Sequence, residues 1–141
     1  MTVALDTYED YARQIFSLLS ERSTVDRHTL AVYTVSRTIG ITRGEIVFRP
    51  GHVLRVFEQI DFVAHRITKY FYELTYQGES LWWYDPMPHP DVLDLQSTYP
   101  HHKHIPPDIK HHRIPAPDLS FTEPNLPHLI TEIEAILADT T

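Results

Sequence analysis

Proline is spread so unevenly along this chain that it partitions the fold before any other signal is read. Ten of the eleven prolines lie from Pro86 to Pro127, and only Pro50 precedes them. All four glycines, Gly40, Gly44, Gly51 and Gly78, fall in the first part. Proline removes a backbone donor and fixes φ, which keeps it out of helix interiors and central strands. The chain therefore reads as regular structure over residues 1–85, an ordered irregular segment over 86–124, and a closing helix. With no internal repeat and no flexible linker, residues 1–141 read as one domain.

Tyr8, Tyr11, Ala12, Ile15, Phe16 and Leu19 recur at helical spacing and predict a helix from Thr7 to Glu21. Leu126, Leu129, Ile130, Ile133, Ile136 and Leu137 predict a second, with Pro127 harmless in its first turn. Between them, His28 to Thr38 is dense in Val, Thr and Tyr. Glu45 to Arg49 and Val53 to Ile60 flank Pro50-Gly51, and Arg66 to Tyr76 and Glu79 to Tyr84 flank Gln77-Gly78. Both pairs predict antiparallel hairpins. The expected class is α+β: an antiparallel meander of about five strands with an N-terminal and a C-terminal helix packed on it.

Register carries a first functional expectation. A loop of Pro50, Gly51 and His52 pairs Phe48 with Leu54, Ile46 with Val56 and Gly44 with Glu58, and gathers the apolar residues on one face. Glu58 then follows Leu54 and Val56 onto that face, where a carboxylate must be paired, neutral or turned to a cleft. The plainer reading is a strand-end glutamate beside an arginine. In the second hairpin, Gln77-Gly78 as the turn pairs Leu74 with Leu81, Tyr72 with Trp83 and Tyr70 with Asp85, on a face shared with Arg66 and Thr68. Cross-strand aromatic packing explains most of these rings. The same surface, flanked by Arg66 and Lys69, also suits base stacking.

A formal net charge of −7 argues against a generic nucleic-acid binder, although ten histidines make that charge strongly pH-dependent. The absence of cysteine excludes disulfides, thiolate zinc sites and cysteine nucleophiles. No apolar run is long enough to span a membrane. Met1 to Asp10 lacks the basic-then-apolar pattern of a secretory signal, so the cytoplasm is the expected compartment.

Seven of the ten histidines follow Asp85. The informative stretch runs Tyr84-Asp85-Pro86-Met87-Pro88-His89, then Tyr99-Pro100-His101-His102-Lys103-His104-Ile105. Flanking prolines present these imidazoles on a stiff backbone. In these residues, and in the run from Arg43 through Glu58 and the closing amphipathic helix, the chain resembles the TumE-like toxin family of bacterial and archaeal toxin–antitoxin modules. The resemblance covers residues 43–137, and Pro100-His101-His102-Lys103-His104 is its most specific element. Where that family tends to read Tyr-Asp-Asn-x-Pro-His-His, this chain has Pro86 and Pro90 at the Asn and second His positions. The resemblance implies a growth-slowing toxin acting on RNA, with a neighbouring antitoxin, usually of helix-turn-helix type.

Metal-free RNA cleavage needs a base for the 2′-hydroxyl proton, an acid for the leaving 5′-oxygen and a cation for charge developing on phosphorus. Histidine can fill either proton role and lysine the third. The expected acid–base pair is His102 with His104, or His101 with His104, with His89 as the alternative base. Lys103 or Lys110 would stabilise the phosphate, and Asp85 or Glu58 would orient an imidazole. In an extended segment His102 and His104 share one side, while His101 and Lys103 take the other. Arg66, Lys69, Tyr70, Lys110 and Arg113 are candidate RNA contacts. This chemistry needs no cofactor.

Other readings stay open. The histidines at 101, 102, 104, 111 and 112 could form a solvated or subunit-facing loop. A divalent ion, zinc or manganese, could sit on His102, His104 and His89 with Asp85 or Glu58, although the spacing matches no established zinc pattern. A non-catalytic protein binding a partner through residues 86–124 is the remaining alternative. A homodimer is compatible with the long aromatic hairpin.

Overall fold

The computed structural model describes residues 5–139, so both ends of the expected 1–141 domain lie outside the described residues. The first helix, α1, runs Tyr8–Ser20, with Thr7 as its N-cap accepting a hydrogen bond from the Asp10 N–H. Its apolar stripe buries Tyr11, Ile15 and Leu19. The closing helix, α2, runs Leu126–Asp139 and buries Leu126, Leu129, Ile130, Ile133 and Leu137.

The sheet is antiparallel, but it has eight strands rather than five. They are β1 (Val25–His28), β2 (Ala31–Thr34), β3 (Ile39–Phe48), β4 (Val53–Asp61), β5 (Arg66–Tyr76), β6 (Glu79–Asp85), β7 (His102–His104) and β8 (Arg113–Pro115). From β3 to β8 they follow chain order, and β1 and β2 share the outer edge of β3. The surplus has two sources. The predicted run His28 to Thr38 narrows to β2, and β1 precedes it, sharing only His28; the two part where Thr29 and Leu30 pass Gly44. Gly44 has a φ of 143°, and a Cβ there would lie 2.5 Å from the Thr29 carbonyl oxygen. The proline-rich segment also contributes β7 and β8, three residues each and too short for a period-two signal.

The first hairpin turns through Arg49, Pro50 and Gly51, one residue earlier than expected, and pairs Ile46 with Leu54, Gly44 with Val56 and Thr42 with Glu58. The shift moves partners by two, so the faces survive and Glu58 is fully buried. The second hairpin departs more. Its turn is Gln77-Gly78, both at positive φ, but an irregularity follows Thr75↔Ser80, and pairing resumes at Leu74↔Trp82 and Tyr72↔Tyr84. Leu81 is the extra residue of this bulge. Trp82 and Tyr84 therefore enter the core, while Trp83 lies opposite Glu73 on the other face. A second bulge, between Gln59↔Lys69 and Ile60↔Ile67, puts Ile67 in the core and leaves Arg66 and Thr68 exposed, off the face of Tyr70.

Both helices contribute to one apolar cluster with the inner face of the sheet, built from Ile46, Phe48, Leu54, Val56, Ile60, Ile67, Tyr72 and Leu74. The outer face carries Arg55, Phe57, Phe71 and Trp83 and remains uncovered over β4 and β5. The functional residues gather at the β6 end of that outer face.

Candidate functional site

The β6–β7 register builds the site. Trp83 lies opposite His104, Tyr84 opposite Lys103 and Asp85 opposite His102. Directly opposed residues share a face, so Trp83, Asp85, His102 and His104 point one way and Tyr84 and Lys103 the other. The expected split of the histidine segment, His102 and His104 against Lys103, holds in β7.

Three donor groups converge. His102 Nε2 lies 3.1 Å from Asp85 Oδ1, His104 Nε2 lies 3.3 Å from Asp85 Oδ2, and the two Nε2 atoms are 3.2 Å apart. His102 is almost wholly buried, and His104 nearly so. Each ring is tied from behind: His102 Nδ1 lies 3.1 Å from the Pro100 carbonyl and His104 Nδ1 lies 2.8 Å from the Ile109 carbonyl. Asp85 accepts hydrogen bonds from Trp83 Nε1 at 3.0 Å and from the Met87 N–H at 2.9 Å. Trp83 also stacks on His104, with ring centres 4.3 Å apart. In the sequence Trp83 stands out as a cross-strand aromatic on a surface suited to base stacking, not as a partner of Asp85. Its signal is the spacing of two from Asp85 in a strand, which puts both on one face.

Burial pushes the Asp85 carboxyl up, but the adjoining His102 imidazole, the Met87 N–H and the nearby His104 outweigh it and hold it at about 2. Burial draws His104 below its ordinary value, opposed by the Ile109 carbonyl and Asp85 and assisted by His102 and Arg113.

A cleft of about 830 Å³ opens above this cluster. Asp85 and His104 reach its wall, together with Tyr70, Phe71, Trp83 and Phe121. Lys69, Lys110 and Arg113 supply positive charge, and none of the three pairs with a carboxylate among the described residues. His89 lines the same cleft, its ring 5.0 Å from that of His102. Arg113 Nη1 lies 2.9 Å from His89 Nε2. The same atom lies 3.1 Å from His89 Nδ1, and burial together with the Arg113 guanidinium lowers the pKa of this imidazole.

The other expected site residues stand elsewhere. His101 shares a 2.7 Å hydrogen bond with the Tyr70 hydroxyl and packs on Phe121, 4.5 Å between ring centres. Arg66 lies over the Phe121 ring rather than beside Tyr70 on the cleft wall. Lys103 donates to Glu132 Oε2 of α2 at 2.8 Å, while Tyr84 donates to Glu132 Oε1 at 2.6 Å. Lys103 is therefore a strut between sheet and helix, on the face away from the cleft. Glu58 lies in the core, where the Tyr11 and Tyr72 hydroxyls each donate to it at 2.5 Å. Parity along β4, which made it conspicuous in the sequence, also carries it beneath the sheet and out of reach of the cleft.

No curated protein and no solved structure matches the chain. A protein family described as Toxin TumE matches residues 15–137, extending upstream of the expected span into α1. No helix among the described residues is long and apolar enough to cross a membrane. Toxins of such modules are neutralised by an antitoxin partner, and with most of its length matched the chain belongs to the TumE toxin family.

Proposed function

We propose that this toxin cleaves phosphodiester bonds in single-stranded RNA, with the Asp85–His102–His104 cluster as the reacting centre. One observation carries the reading: a single cleft unites that cluster with aromatic walls and three cations that have no carboxylate partner among the described residues. Phe71, Trp83 and Phe121 offer flat surfaces on which bases stack regardless of sequence. Lys69, Lys110 and Arg113 receive the phosphate and supply locally the positive charge that the acidic chain lacks overall. His89 is the cleft imidazole outside the cluster and serves as proton carrier. Lys103 takes no part in the chemistry.

Pure toxin incubated with total cellular RNA tests the proposal, with the His102→Ala/His104→Ala double variant and Asp85→Asn beside it. Wild-type cleavage that is lost in folded variants supports it. RNA left intact by a wild-type protein that still arrests growth sinks it. The family resemblance supports a helix-turn-helix antitoxin, and co-purification of the adjacent gene's product checks that partner.

A further inference from the structure

We propose that Asp85, His102 and His104 form a binding site for one divalent transition-metal ion of the zinc or manganese class, with its remaining coordination positions open to the cleft. The argument begins with the hydrogens. The carbonyls of Pro100 and Ile109 can only accept, so the Nδ1 atom of each ring carries a proton. In the neutral rings both Nε2 atoms then hold lone pairs, and they face each other 3.2 Å apart. The third member of the triangle, the Asp85 carboxylate, is also an acceptor, 3.1 and 3.3 Å from the two nitrogens. Three acceptors in mutual contact, the two imidazoles buried and the carboxylate at the cleft wall, repel one another unless a positive charge sits among them.

The spacing suits an ion better than a proton. Ligands about 2.0–2.1 Å from a tetrahedral zinc lie about 3.3–3.4 Å from each other. The two nitrogens are 3.2 Å apart, and the carboxylate oxygens lie 3.1 Å (Oδ1) and 3.3 Å (Oδ2) from them, so each neighbouring pair approaches that value. A single proton on one nitrogen serves one line of contact and leaves the other imidazole facing an acceptor. Two imidazoles and a carboxylate are a donor set for zinc, manganese or iron. Outer contacts of the usual kind are in place: carbonyls behind both imidazoles, and Trp83 Nε1 and the Met87 N–H on the carboxylate. Asp85 and His104 reach the cleft wall, so an ion held here meets whatever enters. Its role in polarising a phosphoryl oxygen rests on the ribonuclease reading, whereas its binding does not.

The experiment is calorimetric titration of untagged, chelator-stripped toxin with Zn²⁺ alone and with Mn²⁺ alone. One saturable site per chain is expected. Asp85→Asn, close in shape to the native residue, and His104→Ala should each weaken it by about 100-fold or more, and Trp83→Phe by about 10-fold through the lost Nε1–H. The His111→Ala/His112→Ala variant, which alters only exposed imidazoles, should bind as wild type. Cooperative thermal unfolding of each variant shows that it is folded. No saturable binding, or binding indifferent to Asp85→Asn and His104→Ala, overturns the proposal. Ion binding without RNA cleavage removes the ribonuclease reading and keeps the site. Cleavage that persists in EDTA by a protein that binds no ion removes the site and keeps the ribonuclease reading.

Discussion

Two carboxylates on neighbouring parts of one sheet have opposite fates. Glu58 on β4 faces the helices, is wholly buried and receives two tyrosine hydroxyls. Asp85 at the end of β6 faces the cleft, accepts from an indole and a backbone N–H, and lies 3.1 and 3.3 Å from two imidazole nitrogens. Burial raises the Glu58 carboxyl, and the hydrogen bonds from Tyr11 and Tyr72 only partly offset it. Burial also acts on Asp85, but groups able to carry positive charge win and leave it at about 2. Burial beside neutral donors pushes a carboxyl up, and such an acid serves packing. One next to imidazoles gives its proton up and is ready to bind a cation or orient a base.

The sharpest break between the two is chemical. Asp85→Asn should lower RNA cleavage by about 10²–10⁴-fold, as loss of a reacting group does, with little change in melting temperature. Initial rates beside thermal unfolding measure both. Tyr72→Phe should do the reverse. It removes a donor from buried Glu58 and a partner of Asn125 Nδ2, which lies 3.2 Å from that hydroxyl, and should cost about 1.5–3 kcal/mol in denaturant unfolding. Cleavage per folded molecule should stay at the wild-type level. A large rate loss in Tyr72→Phe would mean that the core network and the cleft act as one unit.

Lysine gives a smaller contrast of the same kind. Lys103→Ala should lower stability by about 1–2 kcal/mol, because it frees a half-buried Glu132, and leave kcat within about threefold. Lys110→Ala should raise KM for RNA several-fold at unchanged stability, and lowering the salt should deepen the difference from wild type. Reversed outcomes for the two lysines would return Lys103 to the phosphate.

The smallest expected effect is one of slope. A carboxyl whose pKa is raised in the fold favours folding below the ordinary glutamate value, and that contribution is lost as pH rises through the folded value. Glu58→Gln removes the titrating group. Its melting temperature should therefore fall less than that of wild type between pH 5 and pH 8, a window of about three units above the unperturbed carboxyl. Parallel curves for the two proteins would mean that Glu58 titrates alike in folded and unfolded chains.

Much of this was legible before any coordinates. Alternation in β4 put Glu58 on the apolar face, and a two-residue miss in register left that intact because strand faces repeat every second residue. The pattern of an extended Pro-His-His-Lys-His likewise placed His102 and His104 on one side and Lys103 on the other. The heptad-like stripes of α1 and α2 were plain for the same reason, since a local period is written in consecutive residues.

What alternation cannot express is an interruption of itself. The extra residue at Leu81 exchanged the faces of Trp82, Trp83 and Tyr84 and turned Asp85 outward, and no local period announces a single inserted residue. Nor does any short-range signal announce that β7, three residues in a proline-rich segment, pairs with β6 some twenty positions earlier. That pairing brought His102 and His104 to Asp85, and the same alternation sent Lys103 to Glu132 on α2. The sequence by itself determined which side chains are available on each face. Only the tertiary structure, through a bulge and a long-range ladder, decided which of them meet.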